Sequence, residues 1–331
     1  MSGGRVHAEV EREGDALVLV WEAGDPVAVE VFDVAAGGPA IARHGPDRSG
    51  RLVLDGLDPD RRYHLHISRG EADSFVVAER LVRLEGTLNF RDLGGYVGDG
   101  GRRVRWGRAF RSDHLGALTE ADVVRLERLG IRTIVDFQGA HERAADQARP
   151  LPEATFQRLE RPIVDGPAHG ITFYDRVMDK TITRFDIADL TRFYLSTLER
   201  SAAIFGEVLG LIADPAHHAV VFHCRAGKDR TGLTAALLLG ALGVATEDIL
   251  DDYLLTNRYR SGRRIEVLRP QLAEQGIDID AFAPLFVAPR EAMADTLAGV
   301  TERYGSVADY LRGPAGLSDP TLADLRRHLL Q

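Results

Sequence analysis

The sequence predicts a mixed α/β chain with a largely parallel central sheet flanked by helices, preceded by a small N-terminal all-β sandwich. Three observations carry that expectation. Short runs of period-two alternation, separated by turn residues, fill residues 1–79. From residue 80 onward, β-rich runs alternate with segments whose apolar residues recur at helical spacing. One β-rich run ends directly on the single cysteine, and a buried helix follows it.

The alternating runs are Val6–Val10, Ala16–Trp21, Val27–Phe32, Arg51–Leu54, Tyr63–Ile67 and Ser74–Val77. Turn signals stand between them at Glu13-Gly14-Asp15, Gly24-Asp25-Pro26, Gly37-Gly38-Pro39 and Asp58-Pro59-Asp60. The stretch from Leu54 through Asp58-Pro59 to Tyr63-His64-Leu65 resembles the end of a fibronectin type III domain, whose tyrosine sits near a strand corner. His64 and His66 share one strand face with no third ligand nearby, so they read as outward-facing residues rather than a metal site.

In the second portion, residues 80–331, Ile131–Phe137 and Ala219–Phe222 read as strands. Asp186–Ala213 places Ile187, Leu190, Tyr194, Leu198, Phe205, Leu209 and Ile212 on one face of a single long helix. Thr231–Leu242 reads as a buried helix, and a further one runs from a Thr246 cap to about Asn257. Residues 259–296 read as helices that could cover a site as a lid, with Phe282, Leu285, Phe286 and Val287 as its apolar face. An ordinary packed helix pair is the alternative.

Composition narrows the function classes. Apolar residues make up 44% and charged residues 27% of 331, the balance of a globular chain. The formal charge is 41 − 50 = −9, which argues against general affinity for nucleic acid. One cysteine excludes an internal disulfide and a four-cysteine zinc site. No secretory h-region follows the N-terminus, and the longest apolar run, Leu233–Ala245, is shorter than the ~20 residues a membrane span needs. A cytoplasmic protein with no integral membrane segment is expected.

The segment His223-Cys224-Arg225-Ala226-Gly227-Lys228-Asp229-Arg230-Thr231-Gly232 carries the chemistry. A loop wound at a helix N-terminus can turn backbone N–H groups toward an anion, and the same field favours a thiolate as nucleophile. A phosphoryl group fits such a cradle. Arg230 supplies a planar fork for two phosphate oxygens. Gly227 permits a turn that a side chain would obstruct, and Gly232 lets the helix start close to its neighbours. Thr231 can donate to the cysteine sulfur or help water attack. Arg225, Ala226, Gly227, Lys228 and Thr231 are therefore candidate phosphate-binding positions beside Cys224 and Arg230.

This decapeptide resembles the loop of the bacterial atypical tyrosine and lipid phosphatases. Asn89-Phe90-Arg91-Asp92-Leu93-Gly94-Gly95-Tyr96, Phe110-Arg111-Ser112-Asp113 and Tyr304-Gly305-Ser306 with Tyr310-Leu311 extend the resemblance over about residues 85–331. It implies a cysteine-phosphatase fold with Cys224 as nucleophile, Arg230 as phosphate binder and no metal or organic cofactor. It also implies that Lys228 adds charge, as in phosphatases acting on phosphoinositides, and that Asp229 can serve as general acid. The Trp-Pro-Asp loop of ordinary tyrosine phosphatases is absent. Asp136 is the second candidate acid, in Asp136-Phe137-Gln138-Gly139, where relatives often carry Asp-Leu-Arg-Ser. Substrates would be phosphotyrosine proteins, with dual-specificity or phosphoinositide activity as an extension.

Other readings stand beside these. A non-catalytic phosphate-binding adaptor, or a rhodanese-like sulfurtransferase, could use a similar loop. Arg111 and Ser112 either reach the phosphate or serve as structural hydrogen-bond partners. Arg91 and Asp92 would pair with each other behind the loop. Arg258, Arg260, Arg263 and Arg264 form a basic cluster that either receives an acidic group or is solvated surface. His141-Glu142 begins like a zinc-protease helix, but Ala145 stands where the second histidine must be.

Overall fold

The computed structural model describes residues 8–22, 26–33, 39–69, 73–145, 151, 155–164 and 173–331. The expected start of the first strand at Val6, and the turn residues Gly24, Asp25, Gly37 and Gly38, lie outside them.

Seven strands fill the described N-terminal portion: β1 (Ala8–Glu13), β2 (Ala16–Trp21), β3 (Val27–Phe32), β4 (Ala42–Asp47), β5 (Arg51–Leu54), β6 (His64–Arg69) and β7 (Asp73–Ala78). They form two antiparallel sheets, ordered β1-β2-β5 and β4-β3-β6-β7. Alternation decides what each buries. Leu17, Leu19 and Trp21 of one sheet share an apolar cluster with Val27, Val29, Val31, Leu65, Ile67 and Val77 of the other. Tyr63 is buried, and its hydroxyl accepts the Asp58 N–H at 2.9 Å, tying the chain before β6 to the preceding turn.

Strand β4 is not expected from the sequence, because Gly45-Pro46 breaks its pattern. It is an edge strand, opposite a register shift between Val27 and Val29, where a proline costs the ladder least. His64 also departs from expectation. It is buried, not outward-facing, and neither ring nitrogen has a hydrogen-bond partner among the described residues. Burial first, then the charges of Arg62 and His66, push its imidazole down to about 3.

The second sheet system is a five-stranded sheet of β8 (Arg91–Asp92), β9 (Ala109–Ser112), β10 (Thr133–Asp136), β11 (Gln157–Glu160) and β12 (Val220–His223), ordered β11-β10-β12-β9-β8. The first four in that order run parallel, and β8 is antiparallel to β9. β9, β10 and β12 are buried along their whole length, and β12 shows it as the unbroken apolar run Val220–Phe222. In register, Ser112 and Asp136 both stand opposite His223, so three strands end on one rim. Ligands in open parallel sheets bind at that carboxyl rim.

The helices are α1 (Glu120–Arg128), α2 (Ala140–Ala145), α3 (Phe173–Met178), α4 (Ile187–Arg200), α5 (Ala202–Ala213), α6 (Asp229–Ala241), α7 (Thr246–Thr256), α8 (Gly262–Glu274), α9 (Ala283–Phe286), α10 (Arg290–Tyr304), α11 (Val307–Arg312) and α12 (Asp319–Leu329). The apolar face of α6 sits in the principal core with Tyr194, Phe205, Leu209, Tyr253 and Met293. The single helix expected over Asp186–Ala213 is two, broken at Ser201. Leu198 and Phe205 are both buried and stand at the spacing of two unbroken turns, so apolar periodicity carries no mark of the break. Asp186 caps α4 through a reciprocal box with Asp189. Thr246 does not cap α7: Ala245 precedes the helix without a side-chain bond, and Thr246 is its first residue.

Polar contacts join the two sheet systems. Trp106 Nε1 donates to the Val76 carbonyl at 2.9 Å, and Arg62 pairs with buried Asp92 at 2.7 Å. Arg258 grips Glu11 through two contacts of 2.7 and 2.9 Å. Among the described residues, no helix is long and apolar enough to cross a membrane.

Candidate active site

β12 delivers the chain to Cys224, which is 1% exposed, and residues 225–228 bend away before α6 begins at Asp229. The positive end of α6 therefore lies at the loop. Gly227 makes the bend possible. Its φ is +64°, and a Cβ there would stand 2.6 Å from both the Ser112 carbonyl oxygen and the Asp113 nitrogen. An L side chain fails on backbone angle and on space.

The loop is clasped from behind at one carbonyl. Arg111 Nη2 donates to the Gly227 oxygen at 2.8 Å, and Asn89 Nδ2 reaches the same oxygen at 3.3 Å. Arg111 is held by Asp252, whose Oδ2 lies 2.5 Å from its Nη1. Asp252 Oδ1 receives Arg91 Nε and the Tyr96 hydroxyl, each at 3.3 Å. Burial alone would raise the Asp252 carboxyl, but the charges of Arg91 and Arg111 outweigh it and hold it below the ordinary value. His114 N–H adds a bond to the Arg225 carbonyl at 3.2 Å.

Arg230 is aimed by a carboxylate. Glu142, in the first turn of α2, meets both terminal nitrogens at 2.6 Å, and Nη1 also reaches the carbonyls of Phe137 and Ile163 at 3.2 Å. Glu142 accepts the Gly139 N–H as well, at 3.0 Å. Burial would raise this carboxyl, yet hydrogen bonds and charge from Arg230 leave it lowered. A guanidinium fork locked by a planar partner is presented in one orientation.

The two aspartates differ sharply. Asp136 is fully buried: one oxygen accepts the Gln138 N–H at 2.9 Å and the other meets Arg158 at 2.7 Å. Asp229 is partly exposed, and among the described residues its Oδ1 accepts the Tyr194 hydroxyl at 2.6 Å and stands in ion-pair contact with Lys228 Nζ at 3.3 Å. Thr231 Oγ1 is buried with no hydrogen-bond partner among the described residues. His223, behind the cysteine, is held below its usual range by burial, which nearby Asp136 only partly offsets.

Several expected roles are placed differently. Arg111 is fully buried and points at the back of Gly227, the structural alternative rather than a phosphate contact. Lys228 directs its ammonium to the carbonyls of Pro284, Leu285 and Val287 at 2.7–3.0 Å, because three backbone oxygens saturate its three donors. Burial lowers that ammonium from its ordinary value. Arg91 pairs with Asp252 rather than Asp92, and Asp92 pairs with Arg62, since adjacent strand residues face opposite ways. In the basic cluster, Arg258 is bound to Glu11, and Arg260 lies 3.4 Å from Asp113. Phe282 is buried in the principal core, with Leu285 and Phe286 packed against it.

Glu142, Asp252, Tyr194 and Tyr253 were not anticipated as site residues. A carboxylate in the turn after a strand beside the cysteine strand was the available signal for Glu142. For the other three, apolar spacing marks only a packed helix face.

The sheet and the helices around it make a mixed α/β arrangement, and the chain belongs to the tyrosine phosphatase family, which matches residues 82–331. It is 31% identical over 267 residues to a Cupriavidus necator protein whose name is that of a tyrosine-protein phosphatase, covering 81% of this chain and 94% of that one. It is 29% identical over 284 residues to the triple specificity protein phosphatase PtpB of Mycobacterium tuberculosis, covering 75% of this chain and 98% of that one. The core catalytic domain of the S. cerevisiae PP-IP phosphatase SIW14 aligns at 14% identity over 50% of this chain and 75% of that one, with a TM-score of 0.28, too low to bear on the fold.

Proposed function

We propose that this phosphatase hydrolyses phosphomonoesters of tyrosine in proteins through a phosphocysteine on Cys224. The observation that carries the reading is the joint placement of Cys224 at the end of β12, at the mouth of α6, with Arg230 locked by Glu142. The Cys224 sulfur attacks phosphorus in line, forming an S–P bond as the bond to the leaving oxygen breaks. Arg230 and the loop amides carry the charge on the phosphoryl oxygens. Asp229 passes a proton to the leaving oxygen, then takes one from the water that cleaves the S–P bond. Asp229 is preferred to Asp136 because both Asp136 oxygens are engaged in a fully buried site, whereas the bonds Asp229 makes fall on one oxygen.

Phosphoserine, phosphothreonine and phosphoinositide substrates are the extension, supported by the triple specificity named for PtpB. The N-terminal sheets are read as a fibronectin type III-like sandwich over residues 1–79, joined to a catalytic domain over 80–331. The test is phosphate release from phosphotyrosine, phosphoserine and phosphothreonine peptides and a phosphoinositide panel, beside Cys224→Ser. Release lost in that variant supports the reading, and the substrate ranking gives the class. Phosphate binding without release by the wild type would establish the adaptor alternative instead.

A further inference from the structure

We propose that Tyr194 and Tyr253 are positioning residues for Asp229: two hydroxyls in series fix one carboxylate oxygen and leave the other to deliver the leaving-group proton. The inference rests on the reading of Asp229 as proton donor. Tyr194, from α4, donates its hydroxyl proton to Asp229 Oδ1 at 2.6 Å. Its oxygen lies 2.8 Å from the Tyr253 hydroxyl, from α7. Tyr194 has one proton and spends it on Asp229, so Tyr253 is the donor in the second bond. Lys228 Nζ, 3.3 Å from the same Oδ1, is the other charged group at this carboxylate. With Oδ1 accepting the Tyr194 proton and facing the Lys228 charge, the acid's proton belongs on Oδ2.

The relay is built into the packing. Both rings are buried, edge to face with centroids 6.4 Å apart. Gly232 makes room for it, since a Cβ there would stand 3.2 Å from the Tyr253 ring. Burial first, then the neighbouring Asp229 charge, raises both phenols above their ordinary value, so both keep their protons as donors. Tyr194 bonds Asp229 and Tyr253 bonds Tyr194, so both act through the carboxylate, as positioning groups rather than catalytic ones.

The sign of the effect follows from the bond. A hydrogen bond to the carboxylate favours the charged form, so its loss keeps the acid protonated to higher pH. The experiment measures kcat against pH for wild type, Tyr194→Phe, Tyr253→Phe, Asp229→Ala and Tyr194→Phe in the Asp229→Ala background. Phenylalanine keeps the rings and their packing. Two substrates are used: phenyl phosphate, whose leaving oxygen needs a proton, and a dinitrophenyl phosphate, whose leaving group does not.

Tyr194→Phe is expected to lower kcat on phenyl phosphate about tenfold, the size of one hydrogen bond to a charged group, and to displace the alkaline limb upward. Tyr253→Phe should act in the same direction and more weakly. The dinitrophenyl substrate should be spared, and Tyr194→Phe should add nothing once Asp229 is alanine. An equal loss on both substrates, or an unmoved limb, while Asp229→Ala shows its leaving-group-dependent loss, overturns the relay alone. An Asp229→Ala enzyme with no such loss overturns the proton-donor reading and the relay with it.

Discussion

Arg230 and Glu142 illustrate how a single side chain is made useful by its neighbour. A free arginine fork samples many orientations, and two contacts of 2.6 Å to one carboxylate leave it one. Glu142→Gln keeps the shape and removes the charge. It is expected to lower kcat/KM roughly thirtyfold, corresponding to about 2 kcal/mol, measured as initial rates on a phosphotyrosine peptide. The placement of Cys224, Gly227 and Arg230 on one loop between a strand and a helix was legible in the sequence, because those residues are nearly contiguous. Glu142 was not, since a glutamate early in a helix is ordinary and nothing in its own segment names its partner. Lys228 misled for a related reason: a lysine in a phosphate loop has charge to offer, but three backbone carbonyls reached it through the fold.

Among the elements, β12, the loop and α6 follow from local pattern, because a buried parallel strand and a buried helix are both apolar along their length. The α4–α5 break and strand β4 do not: the break leaves the apolar spacing intact, and Gly45-Pro46 interrupts the pattern of β4. Asp252 belongs here, for it joins α7 to β8 and β9 through Arg91 and Arg111. Asp252→Asn would leave two buried guanidiniums short of their counter-charge, and a loss of about 3–5 kcal/mol is expected in denaturant unfolding. Stability and activity should fall together, because Arg111 carries Gly227. On β6, His64 titrates near 3 when folded against 6.5 when free. Above pH ~6.5 both states are neutral, and below it the unfolded chain takes up the proton first. Stability is therefore lost as pH falls from about 6.5 toward 3, by up to ~1.4 kcal/mol per pH unit. His64→Phe should flatten that part of the unfolding profile.

For the molecule as a whole, the N-terminal portion supplies polar partners to the portion that matches the tyrosine phosphatase family. Asp92 is buried, caps the N–H groups of Gly94 and Gly107 at 2.7 Å, and finds its counter-charge in Arg62. Arg62→Met would strand that carboxylate, and the expected result is a loss of about 1–3 kcal/mol in thermal unfolding. The same joint explains why the seam was not legible from sequence. Arg62 reads as one more basic residue in a turn, and its partner lies in a different sheet.

The covalent step is the claim on which the mechanism stands, and rapid acid quench during turnover of a phosphotyrosine peptide, followed by mass spectrometry of the digested enzyme, tests it most directly. The account predicts a phosphoryl group on the peptide containing Cys224 in the wild type and none in Cys224→Ser, which should also release no phosphate. Steady phosphate release by Cys224→Ser, or a phosphoryl group on another residue, would contradict it.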